Sequence, residues 1–265
     1  MERLLQEACR IARLAGKEIK MLRDNGALTE DMKGGIELVT NADMISNDII
    51  KNEVLKLYPE HAFLSEEDTD RNYDIKKPTW VIDPIDGTVN YASGHQMAAV
   101  SIAYAEDNTV RAGVVYNPFM DELFYASENT GAFLNGKPIY VKDAPALRKC
   151  LVATGFPYVR NGEDVREIFA RMERLLPNIG DFRRLGSAAL DICWVACGRL
   201  QCYYEAHLSP WDVAAARIIA KEAGAAIGYF KDPTDNLPDD IRSDNLIISA
   251  PKVFEELKQY LYPVV

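Results

Sequence analysis

The sequence predicts an α/β protein built of layered helices and sheets in two closely packed halves, residues 1–145 and 146–265. Three observations lead there. An amphipathic helical pattern opens the chain, a run of short period-two segments follows it, and after Cys150 strand-like and helix-like segments alternate.

From Leu4 to Leu22 the residues Leu4, Ala8, Ile11, Ala15, Ile19 and Leu22 recur at steps of three and four, the spacing of one helix face, and Gly26 is placed to end that helix. A second helical pattern follows Asp43, with Ile45, Ile49 and Leu57 on one face and Pro59 beyond its end. Ala62 to Leu64, Thr79 to Ile82, Ala98 to Ala105, Val110 to Tyr116 and Glu122 to Tyr125 then read as strands, partly antiparallel. Asn135-Gly136, between Phe133-Leu134 and Ile139-Tyr140, suits a hairpin turn whose two central residues need positive φ. Past Cys150 come a strand (Leu151 to Thr154), helix (Val165 to Leu176), strand (Phe182 to Leu185), helix (Ala188 to Cys197), strand (Gln201 to Glu205) and helix (Asp212 to Ala223). A strand at Leu246 to Ser249 and a helix from Val253 to Leu261, with Pro251 suited to its first turn, close the chain.

Composition narrows the function classes. With 265 residues and 48% apolar content the chain can fill a sizeable core. Its 40 acidic residues outnumber 30 scattered basic ones, a formal net charge of -10, so direct nucleic-acid binding is not expected. No apolar run approaches the ~20 residues of a membrane-spanning helix, and Met1-Glu2-Arg3 leads into an amphipathic pattern, so a cytoplasmic protein with no membrane partner is expected. Cys9, Cys150, Cys193, Cys197 and Cys202 are odd in number and irregular in spacing, which suits reduced thiols, most of them small core residues.

The chemistry is concentrated in acids. In Trp80-Val81-Ile82-Asp83-Pro84-Ile85-Asp86-Gly87-Thr88-Val89-Asn90-Tyr91 an apolar strand runs into two acids three residues apart. Pro84 biases Asp83 toward an extended backbone and offers no N–H, so the turn can aim both carboxylates and the Ile85 carbonyl into one space. Gly87 permits close backbone approach, and amides of the helical turn after it can receive a phosphate. By itself an Asp-Pro-x-Asp-Gly turn is ordinary turn chemistry. Glu66 and Glu67 after one strand, however, and Asp212 at the head of a helix, add carboxylates at two further element ends. As helix-start acids they need no partner. Converging, they would repel one another unless cations were bound, and Mg²⁺ prefers such oxygen ligands.

The Trp80 to Tyr91 segment, Glu66-Glu67 and Pro210-Trp211-Asp212-Val213-Ala214-Ala215 together resemble the inositol monophosphatase family. So do Leu38-Val39-Thr40-Asn41-Ala42-Asp43, Gly113-Val114-Val115-Tyr116, Ala153-Thr154-Gly155-Phe156-Pro157 and the segment from Arg183 to Asp191, all in the right order over nearly the whole chain. The resemblance implies an α-β-α-β-α sandwich of the inositol monophosphatase and fructose-1,6-bisphosphatase kind, and a lithium-sensitive, Mg²⁺-dependent phosphomonoesterase, active as a homodimer on myo-inositol monophosphate or a related small sugar phosphate. It implies two or three ions: Glu66, Asp83 and the Ile85 carbonyl on one, Asp83, Asp86 and Asp212 on a second, and a weaker third near Glu66. Asp43 and Thr88 would orient the attacking water, with Glu67 supporting the ligands from behind. Substrate contacts would fall to Asp86, Gly87, Thr88, Gly186, Ser187, Ala188, Glu205 and Asp212, with Arg183 assisting a phosphate. Ser65, Ala216 and Ala225 stand where the family often has glycine, and none is a metal ligand.

The alternatives are fructose-1,6-bisphosphatase or 3′-phosphoadenosine 5′-phosphate phosphatase activity, or a regulatory binding protein retaining the fold. Competing motifs are weaker. Cys193 to Arg199 has the Cys-x5-Arg spacing of cysteine phosphatases, but its interior is bulky and helix-forming. His61, His95 and His207 are isolated, against a zinc site, though His95 is placed where it could approach the substrate mouth. Asp68-Thr69-Asp70 lies in a polar loop beyond any strand and reads as solvated charge.

Overall fold

The computed structural model describes residues 1–33, 37–157 and 162–261. Helix α1 (Glu2–Asp24) buries Ala8, Ile11, Ala12, Ala15 and Ile19, close to the stripe read from the sequence. It ends where Gly26 takes φ +64° and the Ala27 N–H turns back to the Leu22 carbonyl. A hairpin of β1 (Glu30–Lys33) and β2 (Glu37–Thr40), absent from the sequence reading, leads into α2 (Asn41–Leu57).

A seven-stranded sheet follows. Its strands, in spatial as in chain order, are β3 (Ala62–Ser65), β4 (Thr79–Asp86), β5 (Ala99–Glu106), β6 (Thr109–Asn117), β7 (Glu122–Ser127), β8 (Ala132–Leu134) and β9 (Lys137–Ile139). Only β3 and β4 pair in parallel. The rest form an antiparallel meander, and the short helix α3 (Thr88–Ala92) projects from the end of β4.

The remaining chain builds a second sheet. In order come β10 (Leu151–Thr154), α4 (Gly162–Leu175), β11 (Asp181–Arg183), α5 (Ala188–Ala196), β12 (Cys202–Glu205), α6 (Pro210–Glu222), β13 (Ala226–Tyr229), β14 (Leu246–Ser249) and α7 (Phe254–Leu261). The spatial order is β11-β10-β12-β14-β13, with β10 parallel to both neighbours and β14 antiparallel to both of its own.

Alternation along the strands sorts the core into three apolar seams. Trp80, Ile82, Val100, Ile102 and Val114 face α1 and α2, whereas Val81, Ala103 and Val115 join α5, α6, Tyr203 and Ile248 in a central seam. Val152, Cys202, Tyr204 and Ile247, from the other face of the second sheet, pack with Leu175 of α4 and with Leu257 and Leu261 of α7. The layers therefore run helices, sheet, helices, sheet, helices, the α-β-α-β-α order. Helix α6, in the middle, is buried nearly all round.

One helix face differs from the sequence reading. Helix α2 buries Ala42, Asp43, Ser46, Asn47, Ile50 and Val54, while Ile45 and Ile49 are only half-buried and Leu57 is exposed. The inward polar groups have partners: Ser46 Oγ donates to the Pro84 carbonyl at 2.9 Å, and Ser65 Oγ donates to Asn47 Oδ1 at 2.8 Å. Periodicity counts apolar residues, and here the helix packs on the acid-bearing turn of β4 with hydrogen bonds instead.

Candidate active site

The site begins with an irregularity in β4. Asp83 pairs with Ser101 and Asp86 with Ala99, so three steps on β4 face two on β5. The extra residue is a bulge at Pro84-Ile85, where proline has no N–H to contribute to the ladder. The bulge turns both acids and the Ile85 carbonyl toward one cleft, and Asp83 Oδ1 accepts the Ile85 N–H at 3.0 Å.

Immediately beyond, Gly87 has φ +89°. A Cβ there would lie 2.8 Å from the Met97 carbonyl oxygen and 3.0 Å from that of Gly186, so glycine is required both by conformation and by space. This close approach joins the two sheets' loops, and the Asn90 side-chain amide ties them again by donating to the carbonyls of Met97 (2.8 Å) and Leu185 (2.7 Å).

Asp86 reaches across to the start of α5. It accepts from the N–H groups of Ala188 (3.2 Å) and Ala189 (2.9 Å) and from the Ser187 hydroxyl. Burial pushes its carboxyl up to about 6, and those bonds oppose the rise. Asp43 and Asp212 are both helix-start acids with one oxygen engaged in capping. Asp43 Oδ2 accepts the Thr40 N–H at 2.7 Å and Asp212 Oδ2 the Ser209 N–H at 2.7 Å. The Thr88 hydroxyl lies 3.1 Å from Asp43 Oδ1 and 3.0 Å from the Ile85 carbonyl oxygen. Burial raises Asp43 to about 6, a little offset by the Thr40 bonds.

The cleft that these elements enclose has a cavity volume of about 170 Å³ and opens to solvent. Glu66, Asp83, Ile85, Asp86, Thr88 and Asp212 line it. So do Gly155, Phe156, Arg184, Gly186, Ala188 and Glu205. Among the described residues no three His, Cys, Asp or Glu side chains are gathered into a finished metal cage. The acids nevertheless share one field: Asp83 is held well above the usual carboxylate range first by burial and then by the charges of Glu66, Asp86 and Asp212. Oxygen-only donors that resist ionising together fit a hard divalent cation, which would relieve that repulsion.

Several sequence assignments shift. Arg183 does not reach the cleft; its guanidinium bonds Asp181 and the Phe182 carbonyl, and Arg184, stacked 5.2 Å from the Phe156 ring, is the basic residue that lines it. Neighbouring residues at a strand end point to opposite sides, so sequence alone does not say which arginine faces inward. His95 is exposed and turned aside, and His207 lines the mouth instead. Asp43 and Ser187 lie just behind the lining, touching it through Thr88 and Asp86, and Glu67 bears on Asp43 through its charge. Arg71 also lines the cleft, although no motif in the sequence marks it. It donates to the Glu66 carbonyl at 3.0 Å and stacks 4.5 Å from the Trp211 ring, tying the Glu66 loop to α6.

The competing motifs are structural. Cys193 is fully buried in α5, and Arg199 pairs with Glu122 and stacks on Trp194. Asp68 is half-buried rather than solvated, pairing with Lys51 and accepting the Ser65 N–H at 3.2 Å. None of the five cysteines is in a disulfide, and three are buried.

Asp191, one turn into α5, is 1% exposed, and its Oδ1 has no hydrogen-bond partner among the described residues. Burial, then the charges of Glu205 and Asp86, hold its carboxyl well above the ordinary range. A carboxyl raised in the folded state leaves stability intact below its unfolded pKa and subtracts from it as pH climbs toward the folded one. The melting temperature of Asp191→Asn, measured relative to the parent, is therefore expected to rise by about 3 °C or more from about pH 5 to about pH 8. A difference independent of pH would show that Asp191 is ionised in the fold.

The chain is similar to known proteins in sequence and in fold. A sequence profile of the inositol monophosphatase family matches residues 1–262. The chain is 36% identical over 264 residues to Nus factor SuhB of Vibrio cholerae, covering 98% of this chain and 96% of that protein. It is 39% identical over 240 residues to inositol monophosphatase 3 of Solanum lycopersicum, covering 88% and 87%. The crystal structure of extragenic suppressor protein suhB from Bartonella henselae superposes with a TM-score of 0.89 at 30% identity, covering 99% of this chain and all (100%) of that one.

Proposed function

The chain belongs to the inositol monophosphatase family and is thereby a phosphoric monoester hydrolase, and from that premise we propose that it is a Mg²⁺-dependent phosphatase of myo-inositol monophosphate or a closely related sugar phosphate. One observation carries the reading: the same small cleft is lined by Glu66, Asp83, Ile85, Asp86 and Asp212 and also by Glu205. The first group suits cations and a phosphate, the second a hydroxyl-bearing body.

Glu66, Asp83 and the Ile85 carbonyl would hold one ion and Asp83, Asp86 and Asp212 another, with a third, weaker ion near Glu66. When bound, such ions supply Lewis-acid charge to a phosphoryl group and lower the pKa of water. The chain's own residues do the remaining work. Thr88 orients the attacking water, and Asp43, poised near 6, is within reach through it to take up the proton. Glu205 accepts from a ring hydroxyl of the substrate, a charge-assisted bond stronger than a neutral one.

Phosphate release from inositol 1-phosphate, fructose 1,6-bisphosphate and 3′-phosphoadenosine 5′-phosphate, with and without Mg²⁺, tests the reading. Inositol 1-phosphate should be cleaved most efficiently, and a preference for either of the others would replace it. Glu205→Ala is expected to lower kcat/KM for inositol 1-phosphate roughly 10- to 150-fold and to leave p-nitrophenyl phosphate, which has no ring hydroxyls, nearly unchanged. An equal loss on both would assign Glu205 to the metal site or the fold. LiCl should inhibit at fixed Mg²⁺ where KCl does not, by occupying a cation position with too little charge; matching titrations would remove lithium sensitivity.

A second reading has its own support. The 36% identity to a protein named as a Nus factor is close to the identity to the plant phosphatase, so a regulatory binding role is compatible with this chain. A folded protein that releases phosphate from none of the three substrates would favour that role. The acids and Thr88 all being present favours chemistry.

A further inference from the structure

Glu205, a residue only 9% exposed, ends β12 on the cleft wall. On one side the Tyr203 hydroxyl donates to its Oε2 at 2.7 Å. On the other lies the backbone of Gly155, just past the end of β10. The parallel pairing sets Ala153 beside Tyr203 and Thr154 beside Tyr204, so the next step along both strands brings Gly155 to Glu205. The approach is extreme: a Cβ at Gly155 would stand 2.0 Å from Oε2, 2.1 Å from Oε1 and 2.2 Å from Cδ of Glu205. Both oxygens and the carbon between them therefore rest on the bare α-carbon.

The reason for glycine here is separable from backbone conformation. Gly155 is not among the glycines with positive φ, so an L-residue can adopt its backbone. The three nearest atoms to the missing Cβ all belong to the Glu205 carboxylate. Any side chain at 155 must push that carboxylate away, and the open direction is the cleft, since Tyr203 is fully buried.

We propose that Gly155 is a specificity-determining position: its absent side chain, together with the Tyr203 hydroxyl, sets the Glu205 carboxylate back against the wall where it can accept from a polyol hydroxyl, so that position 155 tunes selectivity for hydroxyl-bearing phosphate esters. This rests on the polyol-phosphate reading above. Gly155 itself is a positioning residue, acting on substrate only through Glu205. Filling the position moves the carboxylate into the space that the polyol ring occupies. Shortening residue 205 by one methylene gives the space back.

The test compares kcat and KM for inositol 1-phosphate and p-nitrophenyl phosphate, in saturating Mg²⁺, among the parent, Gly155→Ala, Tyr203→Phe and the double variant Gly155→Ala with Glu205→Asp. Gly155→Ala should lower kcat/KM for inositol 1-phosphate roughly 10-fold or more, chiefly through KM, and change p-nitrophenyl phosphate by less than about 3-fold. Tyr203→Phe should shift selectivity in the same direction by a smaller factor. The double variant should recover at least about 3-fold of the inositol activity lost by Gly155→Ala, a compensation that a purely structural glycine would not show. Equal losses on both substrates, unchanged selectivity, or a double variant no better than Gly155→Ala would overturn the proposal. Should Gly155→Ala not fold, Tyr203→Phe decides, and unaltered selectivity there overturns it. A parent enzyme with no preference for inositol 1-phosphate would sink the polyol reading itself; a preference that Gly155→Ala leaves untouched would sink this inference alone.

Discussion

Asp83→Asn is expected to lower kcat by roughly 10³-fold or more at saturating Mg²⁺. Asp83 is the acid on which the others converge, since Glu66, Asp86 and Asp212 all press on its ionisation. Asparagine keeps its shape and can still accept the Ile85 N–H through its side-chain oxygen, so the bulge in β4 should survive. It removes the charge that would offset two cations. Without Mg²⁺ the variant should melt no lower than the parent, because one member of a mutually repelling group has gone. A folded Asp83→Asn enzyme with near-normal turnover would contradict the two-cation assignment.

The second large effect is expected at Thr88. Thr88→Val should cut kcat by about 10²- to 10⁴-fold with little change in KM, because it deletes a hydroxyl concerned with the reacting water and keeps the side chain's volume. Thr88 lines the cleft while Asp43 lies buried behind it, 3.1 Å from the same hydroxyl. Asp43→Asn should then produce a loss of similar kind but no greater size, as Asp43 reaches the water through Thr88. Steady-state kinetics on inositol 1-phosphate, with circular dichroism to verify folding, measure both. A Thr88→Val loss carried wholly by KM would make Thr88 a substrate-binding group only.

Much of this site was legible because the acids sit at element ends. The apolar run before Asp83, the proline after it and Gly87 announce a strand turning sharply, and the turn does aim Asp83 and Asp86 at one cleft. What was not legible depends on direction. The strand does not stop at Ile82 but carries its bulge on to Asp86, which only the pairing with β5 reveals. Arg183 and Arg184 are equivalent in sequence and opposite in space. Gly155 drew attention only as part of a motif, since the carboxylate that requires its bareness comes from a different strand 50 residues later, a spacing fixed by the pairing of β10 with β12.

The missed fold elements have similar causes. Strands β1 and β2 are short, charged and paired only with each other, so neither shows an apolar alternation. Strand β13 is a half-buried edge strand interrupted by Gly228. The inward face of α2 carries Asp43, Ser46 and Asn47 beside Ala42, Ile50 and Val54 because its first turns meet the acid-bearing turn, and a count of apolar residues at helical spacing misplaces the face there.

Whether the acids of the cleft work through bound cations is decided by phosphate release from inositol 1-phosphate by protein first stripped with a chelator and then titrated with Mg²⁺. No measurable turnover is expected in the stripped enzyme, with saturable recovery as Mg²⁺ is restored and no recovery for Asp83→Asn. Turnover by the stripped enzyme at the rate of the Mg²⁺-loaded one would contradict a role for bound cations.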